Sequence, residues 1–385
     1  MKWEKVTDEE SKEILTRLVR VDTCQPEGNE ARIISLITSL LSDALECHEV
    51  TCGLGRSSLA AKLPGKTDKG GIAFLGHVDT VACGDKKDWK FDPHEAKCVD
   101  GVLYGRGSAD MKGGVAAMIL AANRLAAMDE KPERPIYFCF TADEESGGLG
   151  VTSLEKQGWF DDIDEMIVCE PSDDRISFCE KGALWLRLQI WGVASHASQP
   201  YLGRNAVEYG IWFARKLRET VLDGRVHPIL GSTTMAVTKF HGGNMTNIVP
   251  AEASLEIDIR TIPETSHDEI LRAAEQLCQD MQRSYSNVAA ELTVINNRPA
   301  IECDPASAFR GKIAAAAEES GLSMEKQGHH FFTDASLVLP KHPIPFVIAG
   351  PGDDKQAHVL NENITLSSVT RFAEFYLQYL RKNWF

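Results

Sequence analysis

His77 and Asp79 stand two residues apart at the end of a short apolar run, Ile72-Ala73-Phe74-Leu75. On an extended chain that spacing puts both side chains on one face. A carboxylate so placed can fix and polarise an imidazole, or both can reach a metal. A core histidine bonded to a local acid is the competing reading of the pair alone. The same arrangement recurs along the chain. Glu144 and Glu145, within Ala142-Asp143-Glu144-Glu145-Ser146-Gly147-Gly148, follow the apolar residues 136–140. Glu170 follows residues 166–169, and His358 lies just beyond residues 344–349. Asp110 sits in a glycine loop, residues 105–114, ahead of an apolar helix. Three acids in succession after an apolar strand are costly unless a cation sits there or water reaches them. A solvated turn is the alternative for that stretch.

Ligands in open α/β sheets gather outside the carboxyl ends of the strands, where neighbouring strands release loops into a shared crevice. Two histidines and four or five carboxylates delivered to that edge form a nitrogen and oxygen donor set of the kind Zn²⁺ accepts. No thiolate belongs to it. The acids outnumber the needs of one tetrahedral ion, which favours two ions bridged by a carboxylate, with one acid left as a base. Gly105 and Gly107 raise the alternative of a dinucleotide fingerprint, but the third glycine is missing and no βαβ unit precedes the loop. No Gly-x-Ser-x-Gly elbow is present to suggest a covalent acyl intermediate.

The elements that must carry these groups follow from periodicity. Residues 7–45 have helical spacing, and residues 57–63 alternate as a strand, turned by Pro64-Gly65. Residues 72–75, 135–141, 166–169 and 344–349 are unbroken apolar runs, as buried strands are. Residues 115–128 are apolar nearly all round, as in a buried crossover helix. Between them lies a long polar loop, residues 82–100, of a length that is often functional inside a compact domain. Residues 180–296 read as strand, helix, two strands, helix and strand, the β-α-β-β-α-β order of a four-stranded sheet with two helices on one face. The chain is therefore expected to hold a discontinuous α/β domain, residues 1–179 and 297–385, interrupted by an α+β, ferredoxin-like insert at residues 180–296.

Composition narrows the partners. A length of 385 residues suits two or three domains at roughly 150 residues each. The net charge of −15 argues against nucleic acid or an anionic membrane as partner. No apolar run approaches the ~18 residues of a membrane span. The charged, amphipathic first residues have no signal-peptide core. The ten cysteines form no Cys-x-x-Cys pair, and neither a disulfide framework nor a cysteine zinc site is visible, so a reduced, cytoplasmic setting is expected.

With these residues in hand, the chain resembles the dizinc deacylase and carboxypeptidase family of acetylornithine deacetylase, succinyl-diaminopimelate desuccinylase, aminoacylase and glutamate-type carboxypeptidase. The resemblance covers nearly the whole length. It rests on Gly-His-Val-Asp-Thr-Val (76–81), Gly-Arg-Gly-Ser-Ala-Asp-Met-Lys-Gly-Gly (105–114), Thr-Ala-Asp-Glu-Glu-Ser-Gly (141–147) and Cys-Glu-Pro (169–171). Ser-His-Ala-Ser-Gln-Pro (195–200), Asn-Ile-Val-Pro (247–250) and Gln-Ala-His (356–358) complete it. It implies a zinc-exopeptidase-like catalytic domain, a mostly parallel mixed sheet between helices, with the insert as a lid and dimer contact.

Carried over by position, the resemblance implies two Zn²⁺ per subunit, with Co²⁺ or Mn²⁺ able to substitute. His77 and Glu170 would hold one ion, Glu145 and His358 the other, and Asp110 would bridge them. Asp79 would orient His77. Glu144 would be the general base that takes a proton from the water between the ions and passes it to the leaving amine. The peptide after Asp110 would be cis. His196 would reach the active site of the partner subunit in a homodimer and stabilise the oxyanion; a locally satisfied loop histidine is its other reading. Asn247 and Arg260 would bind substrate, although an arginine at a strand end is usually a surface ion pair. Gly350 and Gly352 would offer backbone N–H groups to a substrate carboxylate, and Thr333 lies in a loop resembling a family substrate loop. The implied activity is hydrolysis of a small N-acyl amino acid or short peptide. Acetylornithine deacetylase is the favoured likeness, with the desuccinylase or a dipeptidase or carboxypeptidase as alternatives. A non-catalytic relative would be expected to lose the base or a ligand, and neither is lost.

Overall fold

Four parallel strands form the centre of the larger of two units in the computed structural model, which describes residues 3–385. Their lateral order is Ile136–Thr141, Gly71–His77, Ile163–Pro171 and Phe346–Gly350. The antiparallel strands Arg56–Leu63 and Glu46–Gly53 extend the sheet on one side, and Arg175–Glu180 extends it on the other. Every residue of Gly71–His77, Ile136–Thr141 and Phe346–Gly350 is buried, as a sheet covered on both faces requires. The helix Gly113–Ala126 crosses over this sheet and packs against the C-terminal helix Leu366–Asn383 and against Asp8–Val19. Gly114 and Gly350 both press on the Cys169 carbonyl, where a β-carbon would collide. Their backbones can therefore lie directly against the strand that ends in Glu170.

The residues 7–45 expected to be helical divide into Asp8–Val19 and Glu30–Leu40, with a turn between them carrying a cis Gln25–Pro26 peptide. Thr7 opens the first helix with a capping box to Glu10. The strand Glu46–Gly53 was not expected; it is a sheet edge with mostly exposed polar residues and no clean alternation. Residues 82–100 hold only a short turn, Lys86–Asp88, and the first strand of a small hairpin, Lys97–Val99. No helix among the described residues is long and apolar enough to cross a membrane.

The smaller unit comprises Glu180–Ile301 and Gly328–Phe332. It runs five residues beyond the expected end at 296, because the edge strand Ala289–Arg298 continues past that point. Its four strands lie in the order Thr234–Gly242, Glu252–Thr261, Gly182–Trp191 and Ala289–Arg298, antiparallel throughout. Alternate residues Leu184, Leu186, Leu188 and Ile190 pack with Leu255, Ile257 and Ile259 on the helices Ala206–Val221 and His267–Ser284. Asn205 and Ser266 cap those helices through their side-chain oxygens. A two-strand hairpin, Val226–His227 with Gly231–Ser232, adds to the expected order.

Candidate metal centre

Each expected ligand of the larger unit stands on a loop leaving the carboxyl end of a central strand or beside one. His77 ends Gly71–His77, Glu170 lies at the end of Ile163–Pro171, and Glu144 and Glu145 follow Ile136–Thr141. Asp110 interrupts a wide turn, Ser108–Lys112, that leads into Gly113–Ala126, and the Asp110–Met111 peptide is cis. Asp143 and His358 hold left-handed backbone, φ 65° and 62°, a conformation rare for residues with a β-carbon.

The side chains converge around Asp110. Its Oδ1 is 3.0 Å from His77 Nε2 and its Oδ2 is 3.3 Å from His358 Nε2, so the carboxylate faces one imidazole with each oxygen. Glu170 Oε1 lies 3.5 Å from His77 Nε2, on that imidazole's side. Glu145 Oε2 lies 3.0 Å from His358 Nε2, on the other. Ligand atoms of His77, Asp110 and Glu145 fall within 4.8 Å of one another.

The electrostatics test whether this set suits a metal. Burial pushes the Glu170 carboxyl well up, and the neighbouring Asp110 and Glu145 add to that. Glu145 is raised by burial and by Asp110. For Asp110, the two imidazoles outweigh burial and hold its carboxyl low. His77 is fully buried, which alone would lower it, yet Glu170, Asp110 and Asp79 hold it well above its ordinary value. Hydrogen bonds to Asp110 and Glu145 lift His358 to about 10. Glu170, Glu145 and the two imidazoles thus hold protons more tightly than usual around Asp110, protons that divalent ions would displace. The donors are all nitrogen or oxygen, and the cluster is short of positive charge. It fits a pair of hard or borderline divalent ions.

Asp79 is fully buried and does something the sequence did not suggest. Its Oδ1 accepts from the Glu144 N–H at 3.0 Å, and its Oδ2 from the Glu145 N–H at 3.1 Å and Gln25 Nε2 at 2.8 Å. His77 Nδ1 has its shorter contact with the Asp79 backbone carbonyl, 3.0 Å, against 3.6 Å to the carboxylate. The Asp79 side chain therefore sets the loop of the two glutamates first, and its main chain orients the imidazole. Arg56 extends the scaffold, donating to Gln25 Oε1 at 2.7 Å, Glu30 Oε1 at 2.7 Å and Asp143 Oδ1 at 3.0 Å.

Glu362 was missed. Fully buried, it accepts from Gly107 N, Ala109 N, Asp110 N and Arg106 Nη1 at 2.7–3.0 Å, and so cages the loop that presents Asp110. It lies at the end of a polar stretch with no local signal, about 250 residues from its partners.

The expectation for the glycines is corrected. Gly350 donates its N–H to Ser172 Oγ and Gly352 donates to Ser368 Oγ, each at 3.2 Å, so neither offers a free donor to a ligand. Thr333 is buried, and its Oγ1 accepts from Ala335 N at 3.2 Å. In the smaller unit, His196 is exposed and its Nδ1 is 2.7 Å from Ser198 Oγ. Asn247 is exposed, and its carbonyl accepts from Ala197 N at 2.9 Å. Arg260 forks onto Asp258, Nε to Oδ1 at 2.8 Å and Nη2 to Oδ2 at 3.1 Å, the ion pair expected of an arginine at a strand end.

Residues 73–382 match the model of peptidase family M20/M25/M40. Two relatives are 28% identical to this chain. One, named "Probable succinyl-diaminopimelate desuccinylase", is from Staphylococcus aureus and pairs 81% of this chain with 84% of its own. The other, named "Succinyl-diaminopimelate desuccinylase", is from Psychromonas ingrahamii and pairs 96% with 97%. Among solved structures, a tripeptidase from Staphylococcus aureus superposes with a TM-score of 0.76 at 23% identity, over 98% of this chain and 99% of the other. A dinuclear metal-binding peptidase of the M20 family from Bacillus subtilis gives 0.72 at 16% identity, over 97% of each. These likenesses extend the fold over essentially the whole chain.

Proposed function

Because this chain belongs to peptidase family M20/M25/M40, whose members are metal-dependent hydrolases, we propose that it hydrolyses the amide bond of a small N-acyl amino acid at a two-zinc centre. The observation that carries this reading is the position of Asp110, one carboxylate oxygen on each of two imidazoles, with Glu170 beside the first and Glu145 beside the second. His77 and Glu170 would hold one ion, Glu145 and His358 the other, and Asp110 would be shared. When bound, the ions would polarise the scissile carbonyl and bring the pKa of a water toward neutrality.

The chain supplies the rest. Glu144, whose N–H is fixed by Asp79, takes the proton of the attacking water on its carboxylate and returns it to the departing amine nitrogen. His196, Asn247, Arg260 and Thr333 are assigned to substrate contacts from the family pattern, with His196 serving the partner in a homodimer. The substrate proposal changes from the sequence-based one. The relatives favour an N-succinyl amino acid over N-acetylornithine.

The test is amine release from N-succinyl-diaminopimelate, N-acetylornithine, other N-acyl amino acids and short peptides. Each is assayed as purified, after chelation and after Zn²⁺, Co²⁺ or Mn²⁺ is returned. Activity should vanish on chelation and return with metal, and the N-succinyl substrate should be the best. Glu144→Ala should lower kcat by about 10²–10⁴-fold while retaining metal. Metal binding without cleavage of any substrate would sink the proposed reaction, and failure to bind metal would sink the centre itself.

A further inference from the structure

The long loop of residues 82–100 contributes no ligand to the centre described above, yet it brings two metal-binding side chain types to the turn after the first helix. Cys24, Cys83 and His94 stand 59 and 11 residues apart in sequence, and their ligand atoms lie within 4.8 Å of one another. Cys24 Sγ is 3.2 Å from Cys83 Sγ, and His94 Nε2 is 3.5 Å from Cys83 Sγ and 3.9 Å from Cys24 Sγ. A tetrahedral zinc ion, with bonds of roughly 2.3 Å to sulfur and 2.0–2.1 Å to nitrogen, holds such donors roughly 3.5–3.8 Å apart. The three separations bracket that range. Both cysteines are free thiols, and their sulfurs stand well beyond the ~2.05 Å of a disulfide.

The surroundings are those of a metal ligand set. His94 Nδ1 faces the Val19 carbonyl at 3.4 Å. An N–H there leaves the Nε2 lone pair aimed at the sulfurs, the tautomer a metal needs. Asp22 Oδ2 lies 3.4 Å from the same Nε2, at the solvent side of the imidazole and outside the group of three ligand atoms. Its side chain is 57% exposed, which leaves a route in from solvent. Two thiolates and a neutral imidazole around a divalent ion leave no net charge to stabilise.

We propose that Cys24, Cys83 and His94 form a separate, thiolate-bearing site for one zinc ion, which clamps the turn after the first helix to the loop of residues 82–100. The clamp bears on the first centre through the backbone. Thr80 N and O bond to Thr23 O and Gln25 N at 3.1 and 2.8 Å, and Gln25 then holds Asp79. The ligands come from two separate stretches of chain, so the ion ties them together, with water completing its coordination. A Cys24–Cys83 redox pair is the rival use of the thiols, but it leaves the aim of His94 without a purpose.

Cobalt distinguishes the sites, because only thiolate ligands give Co²⁺ a strong near-ultraviolet charge-transfer band. The full chain, reduced and with its thiols counted, is titrated with Co²⁺. A thiolate band is expected to saturate at one ion per chain and to be displaced by Zn²⁺. It should be lost in Cys83→Ser and in Cys24→Ser and kept in Asp110→Asn, whose defect lies in the nitrogen and oxygen centre. No band in the reduced wild type overturns the proposal whether or not the variants fold. A Cys24–Cys83 disulfide in freshly isolated protein, with no thiolate-bound metal, overturns it in favour of the redox pair. Failure of the catalytic reading would leave the band untouched.

Discussion

The two sheets are built on opposite plans, and the chemistry follows one of them. In the larger unit Gly71–His77 and Ile136–Thr141 are buried at every position, whereas Glu252–Thr261 in the smaller unit alternates between buried and partly exposed residues. A parallel sheet with both faces covered has only its strand ends left for polar groups, and there the loops carrying His77, Glu145 and Glu170 converge. An antiparallel sheet with one open face spreads its charges along the strands. Arg187, Glu256 and Lys239 lie side by side on neighbouring strands in this way. Concentration of unlike groups at one edge makes a site, while dispersal over a face makes a soluble surface.

The sharpest test of this contrast is in the core of the larger sheet. Phe74 is fully buried, stacked on Phe138 at 5.1 Å between centroids and set edge-on to Tyr376 at 5.1 Å. Phe74→Ala should cost about 3–5 kcal/mol in urea or guanidinium unfolding. A loss below about 1 kcal/mol would mean that the central strands are not the rigid platform the site requires.

The next effect tests how a strand-end loop is held. Glu362 uses both oxygens to accept four donors. Glu362→Gln keeps the shape but turns one acceptor into a donor facing N–H groups. About 1–3 kcal/mol is expected for each donor so stranded. Metal affinity should fall with it, read by competition with a chelating dye, because the loop that presents Asp110 loosens. Unchanged affinity would show that Asp110 is positioned by the adjoining helix alone.

Those two positions also mark what the sequence could reveal. Phe74 stands in an unbroken apolar run, and His77 follows within three residues, so strand and candidate ligand were legible from one local pattern. The insert was legible for the same reason, since the alternation at Leu184, Leu186 and Leu188 is local. Glu362, Gln25 and Arg56 were not legible. Each is a polar residue in a polar stretch, and its importance comes from partners brought close only by folding. The thiol and imidazole groups of Cys24, Cys83 and His94 escaped notice because their spacing matches no local ligand motif. The edge strand Glu46–Gly53 has too few buried residues to print a period.

A third test uses protons. His358, whose side chain is about half exposed, is raised to about 10, above the ordinary 6.5, by its hydrogen bonds to Asp110 and Glu145. A group raised on folding adds stability below its unfolded pKa and loses that contribution as pH climbs to its folded one. The metal-free protein should therefore lose stability between pH 6.5 and about 10. Metal affinity should move the other way, because each bound proton must leave before a ligand can form. Chemical unfolding of the chelated and metal-loaded protein at several pH values reads both trends. Parallel curves for the two forms would show that the imidazoles do not bind the metal.

The smallest effect belongs to the open face of the smaller sheet. Glu256 pairs with Arg187 at 2.8 Å and Lys239 at 2.8 Å, directly across adjacent strands. Their hydrogen bonds hold the Glu256 carboxyl below its usual value. The group has a lowered pKa, so what the cluster adds is present above pH 4.5 and fades as acid protonates it. Water screens such pairs, and ordering the long side chains opposes the attraction. Arg187→Ala should leave the urea midpoint nearly unchanged at low salt. Any residual difference should vanish at about 1 M salt, where the screening length falls to about 3 Å. A deficit that survives high salt would come from lost packing of the arginine stem, and the open face would then resemble the buried sheet more than its exposure suggests.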